Sequence, residues 1–148
     1  MNRLVKCGLA LAVLVAPVAA QADDQDIMNY RKQVMKTMGE QSAAMNMTLQ
    51  GKAPADQFVS HVKTLHLAAT QAKKAFEPKV VGDGSTGSAK AEVWANWADF
   101  SKRMDEQVAK LAALEKAAVE GGAAKAGPMI QTSLDCRGCH ETYRVPKK

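Results

Sequence analysis

The chain has 148 residues, enough for one domain with a hydrophobic core. Its 20 Lys and Arg against 15 Asp and Glu give a net charge of +5, interspersed along the chain, which is not the footprint of a nucleic-acid binder. Three cysteines are too few for a disulfide framework once the first segment is set aside.

That segment is read as a cleaved secretory signal over residues 1–22. Arg3 and Lys6 precede an uncharged run from Cys7 to Ala22, which closes on small residues, Ala20-Gln21-Ala22, before Asp23-Asp24. The layout is that of an export signal with an A-x-A cleavage site. Sixteen uncharged residues interrupted by Pro17 are short for a membrane span, so none is expected. Cys7 leaves with the signal. The mature domain, residues 23–148, then keeps 18 basic and 15 acidic residues, a net +3. Export in a bacterial style implies the periplasm, an oxidising compartment.

Helical periodicity organises the rest. Segment one runs from about Asp24 to Gln50, with Ile27, Tyr30, Val34, Met38, Met45 and Leu49 in register, and stops at Gly51 and Pro54. Segment two runs from about Ala55 to Phe76 on a stripe of Phe58, Val62, Leu65, Ala69, Ala72 and Phe76, before Pro78. The linker Gly82-Asp83-Gly84-Ser85-Thr86-Gly87-Ser88 follows. Segment three runs from about Ala89 to Glu120, ending at Gly121-Gly122. Segment four runs from about Lys125 to Arg144, with Pro128 in its first turn and Pro146 beyond its end. No period-two alternation appears. The expected fold is all-α, an antiparallel four-helix bundle. Its alanine-rich faces leave a thin core or room for a large apolar group.

The chemistry is concentrated in Cys136-Arg137-Gly138-Cys139-His140. Two cysteines three apart on a helix project from one face, and C-x-x-C-H is the attachment pattern of c-type haem. The cysteines supply thioethers and His140 the axial nitrogen. Zinc needs two further ligands, and His61 and His66, five residues apart, face different sides of segment two. A thioredoxin-like pair belongs near a βαβ unit, and none is present. A non-haem helical interaction domain with a Cys136–Cys139 disulfide is the remaining rival. Of His61 and His66, one is expected exposed and the other at the core edge. Trp94 and Trp97 read as core or haem-packing residues. No catalytic constellation is visible, so no enzyme is expected. The tail cations Arg144, Lys147 and Lys148 read as a solvated end.

Four stretches carry a family resemblance across the mature chain: Tyr30–Lys36 in segment one, Gly51–Pro54 after it, Val93–Phe100 opening segment three, and Cys136–Arg144 near the end. The chain resembles the class II cytochromes c, the group of cytochrome c′ and its low-spin, methionine-ligated relatives. The resemblance implies a bundle holding one covalent haem c, with Cys136 and Cys139 as thioether positions and His140 as proximal iron ligand. It places Arg31 near the haem propionates and Arg144 on the proximal side. It also implies redox partner proteins of unnamed identity and a homodimer through helices one and two.

The resemblance puts Met35 opposite His140, one turn after Arg31. If Met35 ligates, the haem is six-coordinate, its potential is raised by the thioether, and the protein is a one-electron carrier. This is the expectation, with Met38 as second candidate. The alternative is a five-coordinate haem that binds nitric oxide or carbon monoxide, with Met35 only packed over the iron.

Overall fold

A computed structural model describes residues 22–85 and 87–146. The expected signal segment, apart from Ala22, lies outside these residues, as do Thr86, Lys147 and Lys148.

The first helix, α1, spans Asp24–Leu49. Asp23 caps it: its carboxylate accepts the backbone N–H of Asp26 at 2.8 Å, an interaction worth about 1 kcal/mol. Asp24 and Asp26 in the first turn meet the positive end of the helix dipole. At the other end the N–H of Lys52 returns to Met47 and that of Gly51 to Thr48, the paired bonds of a Schellman stop. A single 3₁₀ turn, Ala55–Gln57, leads into α2, Phe58–Phe76.

The third segment begins later than its periodicity predicts. Residues 82–85 and 87–90 fold back on themselves and on the chain end, with Ala89 in an isolated antiparallel bridge to Arg144. A short helix α3, Glu92–Ala95, is separated from the long α4, Trp97–Ala126, by Asn96 at φ −119°, ψ 43°. Within α4 the backbone breaks at Gly121-Gly122, where Gly122 takes φ 59°, ψ −153°. The sequence signal for a helix end was therefore correct.

The fourth segment is likewise divided. Pro128 sits in a 3₁₀ turn, Gly127–Met129, followed by α5, Ile130–Ser133. Leu134 at φ −121°, ψ 77° breaks the path, and α6 runs Cys136–Tyr143. The break arises because Asp135 caps α6 rather than continuing the preceding turn.

The four segments form an all-α bundle in which α2 packs against both α1 and α4. Ala68, Ala69, Ala72 and Ala75 on α2 are buried, so the helices approach closely along it. Two apolar clusters result. One gathers Met45, Phe58, Leu65, Leu111 and Leu114. The other gathers Val34, Phe76, Val93, Phe100, Met104 and Tyr143. Among the described residues no helix is long and apolar enough to cross a membrane.

Candidate functional site

Helix α6 is set by its own first turn. The Asp135 carboxylate accepts the N–H of Gly138 at 3.1 Å. This approach requires a glycine: a Cβ at residue 138 would stand 2.8 Å from the Asp135 carboxylate. The central Gly138 of the cysteine motif thus belongs to the cap. Arg137 and Glu141 pair along the exposed side at 2.8 Å.

Cys136 is exposed and Cys139 is half-buried, and no disulfide joins them. Burial pushes both thiols above their ordinary range; Asp135 adds to this at Cys136, while Arg103 opposes it at Cys139. His140 is half-buried, and its pKa is lowered, first by burial and then by the neighbouring Arg144 cation. At neutral pH its imidazole is uncharged and offers a nitrogen lone pair to a metal.

Cys136, His140 and Arg144 line one cleft of about 500 Å³, together with Arg137, Glu141, Val145 and Pro146. That volume lies within the range of cofactor sites. Cys139 packs instead against the second apolar cluster, and so do the half-buried Met35, Trp94 and Trp97. A flat apolar cofactor tethered at both sulfurs, next to a neutral imidazole and bordered by aromatic rings, fits this donor set.

The face of α6 that carries Cys139 is fastened to α4. Tyr143, 4% exposed, donates to Asp99 at 2.6 Å, and the Arg103 Nε donates to the same carboxylate oxygen at 2.7 Å. The Phe100 ring meets the Tyr143 ring edge-on at 5.2 Å. Asp99, Arg103 and Tyr143 were given no role of their own from sequence, although Tyr143 lies four residues after Cys139 and Asp99 four before Arg103, spacings that share a helix face.

The chain end is held by a short ladder. Lys90 N–H donates to Tyr143 at 3.0 Å, Val145 N–H to Ser88 at 2.9 Å and Gly87 N–H to Val145 at 3.0 Å. Arg144 is therefore part of an ordered clasp, which corrects its reading as a frayed, solvated end.

Arg31 does not line the cleft. It is 4% exposed and donates to the carbonyls of Ala75 at 2.8 Å, Val80 at 2.5 Å and Pro78. Its guanidinium lies 4.8 Å from the Trp94 ring centroid and 5.3 Å from that of Phe76. Met38 borders both clusters. Neither histidine of α2 is fully exposed, contrary to expectation for one of them. His61 Nδ1 meets Gln41 at 2.8 Å and His66 Nδ1 meets Glu115 at 2.6 Å, so each is held by a different neighbouring helix. Among the described residues no group of three or more His, Cys, Asp or Glu side chains is arranged to hold a metal ion.

A family model described as Cytochrome C' matches residues 26–144. Cytochrome c' of Rhodopseudomonas palustris is 33% identical over 127 residues, covering 82% of this chain and 84% of the relative. Cytochrome c-556 of Agrobacterium tumefaciens is 32% identical over 122 residues, covering 79% and 95%. Among solved structures, a ferrous variant of cytochrome c prime from Alcaligenes xylosoxidans with bound NO superposes with a TM-score of 0.72 at 25% identity, over 87% of this chain and 100% of that one. The similarity spans the whole bundle.

Proposed function

The chain belongs to the cytochrome c′ family, and from that premise we propose that it is an exported haem protein of the periplasm that binds diatomic gas at a five-coordinate iron. Its cofactor is one covalently attached haem c. Haem c supplies an iron that takes up nitric oxide or carbon monoxide and changes oxidation state by one electron.

Cys136 and Cys139 hold the haem through two thioethers, and His140 presents its neutral imidazole to the iron. Arg144 stands beside His140 on the proximal side. Arg31 keeps its place in the propionate vicinity in this reading, with its guanidinium already held by three carbonyls. No catalytic turnover is assigned to the protein.

The observation that carries the gas reading is the likeness to cytochrome c prime structures solved as nitrosyl complexes or with bound NO. The Met35 side chain is packed against the second apolar cluster, where it fills space in the core next to the aromatic rings. With haem bound, a Met35 thioether that only packs there would crowd the face away from His140 and would admit small uncharged ligands in preference to larger ones. The carrier reading, first expected from the sequence, retains one argument: Met35 and Cys139 border the same cluster. In that reading the thioether ligates the iron and soluble redox proteins are the partners. A homodimer through α1 and α2 accompanies either reading; Tyr30 and Met47 on α1 and Leu67 on α2 expose apolar surface.

Expression in a host able to attach haem, followed by reduced spectra with and without carbon monoxide, decides between them. A high-spin spectrum that changes with carbon monoxide supports gas binding. A low-spin spectrum indifferent to carbon monoxide, lost in Met35→Ala, establishes the carrier. Absence of a haem band that survives denaturation and solvent extraction overturns both.

A further inference from the structure

Helix α6 has eight residues, too few to hold a helix by its own backbone bonds. Its placement therefore comes from what it touches. Its N-terminal cap is local, from the adjacent Asp135. The hydrogen bonds that reach other elements leave from its last turn. Lys90 Nζ donates to the Glu141 carbonyl at 3.1 Å, and the Lys90 N–H to the Tyr143 carbonyl at 3.0 Å. The Tyr143 hydroxyl donates to Asp99 on α4 at 2.6 Å. Among the described residues of α6, Tyr143 alone is held to other elements through both main chain and side chain. The Asp99 carboxylate is itself fixed, because Arg103, one turn along α4, donates to the same oxygen at 2.7 Å. A hydrogen bond to an ionised acceptor is among the strong ones. The main-chain bonds set where α6 ends; the side-chain bond sets its rotation about its own axis.

His140 stands three positions before Tyr143 and Cys139 four, in neighbouring rows of one short helix. The His140 carbonyl accepts the N–H of Arg144 at 3.0 Å, within the same final turn. A rotation of α6 therefore carries the imidazole with it. We propose that Tyr143 is a positioning residue for the His140 imidazole: through its hydroxyl on Asp99 it sets the rotation of α6, and so the placement of the ring nitrogen toward the iron. The inference rests on His140 as the iron ligand and is the same whether Met35 packs or ligates. Tyr143→Phe keeps the edge-on contact with Phe100 and loses only the bond. Asp99→Asn keeps an acceptor oxygen, and Asp99→Ala removes it.

The test uses oxidised, haem-loaded wild type, Tyr143→Phe, Asp99→Ala, Asp99→Asn and Leu111→Ala. Two quantities are read. The paramagnetically shifted proton resonances of the His140 ring report its placement at the iron in either coordination state. Amide hydrogen exchange across residues 139–145 reports the hold on α6. Tyr143→Phe and Asp99→Ala are expected to displace the His140 resonances in the same direction and to speed exchange about tenfold, the loss expected for one hydrogen bond to a charged group. Asp99→Asn should stay near wild type in both. Leu111→Ala, in the first cluster, should leave the His140 resonances in place, which separates positioning from a general loss of stability. Unmoved His140 resonances in Tyr143→Phe and Asp99→Ala overturn the inference. So does an equal displacement in Leu111→Ala, or one in Asp99→Asn as large as in Asp99→Ala, which would be a charge effect. Should Tyr143→Phe not fold, Asp99→Ala carries the test with Asp99→Asn as its rescue. A wild type without shifted histidine resonances overturns the assignment of His140, and this inference with it.

Discussion

Tyr143 donates its phenolic hydrogen to Asp99 at 2.6 Å, and this bond fastens the cysteine-bearing helix to α4. Burial and then the Asp99 bond push the Tyr143 pKa up to about 12. The bonds from Tyr143 and Arg103 hold the Asp99 carboxyl below its ordinary range.

The linkage has opposite signs at the two ends of the pH scale. Tyr143 stabilises the fold fully below the ordinary tyrosine pKa of 10, and its contribution declines as pH rises through about 12. Asp99 contributes above the ordinary carboxylate value and loses its contribution as pH falls through its depressed folded value. Thermal melts of the haem-loaded protein are therefore expected to fall between pH 10 and 12. Tyr143→Phe should melt lower at pH 7 and show a flatter decline over that window.

Gly138→Ala is expected to weaken α6 specifically. Its Cβ displaces the Asp135 carboxylate, with loss of about 1 kcal/mol, the usual value of such a cap. Asp135→Asn, which keeps an acceptor oxygen, should cost less. Urea unfolding of the haem-loaded proteins measures both. An equal loss in the two variants would argue against the cap.

Two glycines make a contrasting pair. Gly39 is helical within α1 and Gly122 has φ 59°, and a Cβ at either meets nothing within 4 Å. Only backbone preference distinguishes them. Gly39→Ala should stabilise by about 0.5–1 kcal/mol. Gly122→Ala should destabilise by about 1–3 kcal/mol, because φ 59°, ψ −153° is a region reserved for glycine. Paired urea titrations check the two signs.

Leu111 and Leu114, both 0% exposed, belong to the first cluster. Truncating either to alanine should cost about 2–5 kcal/mol while leaving the haem spectrum and carbon monoxide affinity unchanged. A spectral shift would mean that the two clusters are coupled more tightly than their separate membership suggests.

What was readable in the sequence is what depends on neighbours along the chain. The cysteine motif carries its chemistry in five consecutive residues, and the stripes through Phe58, Val62 and Leu65 announce their helix by period alone. The breaks at Asn96 and Leu134 were not readable. The ladder from Lys90 to Tyr143 and from Val145 to Ser88 holds residues 87–90 outside a helix, and Asp135 takes a capping role that an aspartate in mid-pattern does not announce. The burial of Arg31 was equally hidden. Its partners are main-chain carbonyls 44 to 49 positions away, and a carbonyl has no letter in the sequence. Preference for gas binding over electron carriage came from relatives solved with NO, since methionine at that place is compatible with both.

The clasp between residues 87–90 and the chain end also bears on the order of assembly. Lys90 reaches Glu141 across 51 positions of sequence, so α6 closes a long loop, whereas α1 and α2 meet through a short turn. Contacts of large sequence separation form after local ones because loop closure opposes them. The helical hairpin of α1 and α2 thus offers a surface early. On that argument the helix that carries Cys136 and Cys139 is expected to dock after the hairpin, which pulsed hydrogen exchange during refolding would check.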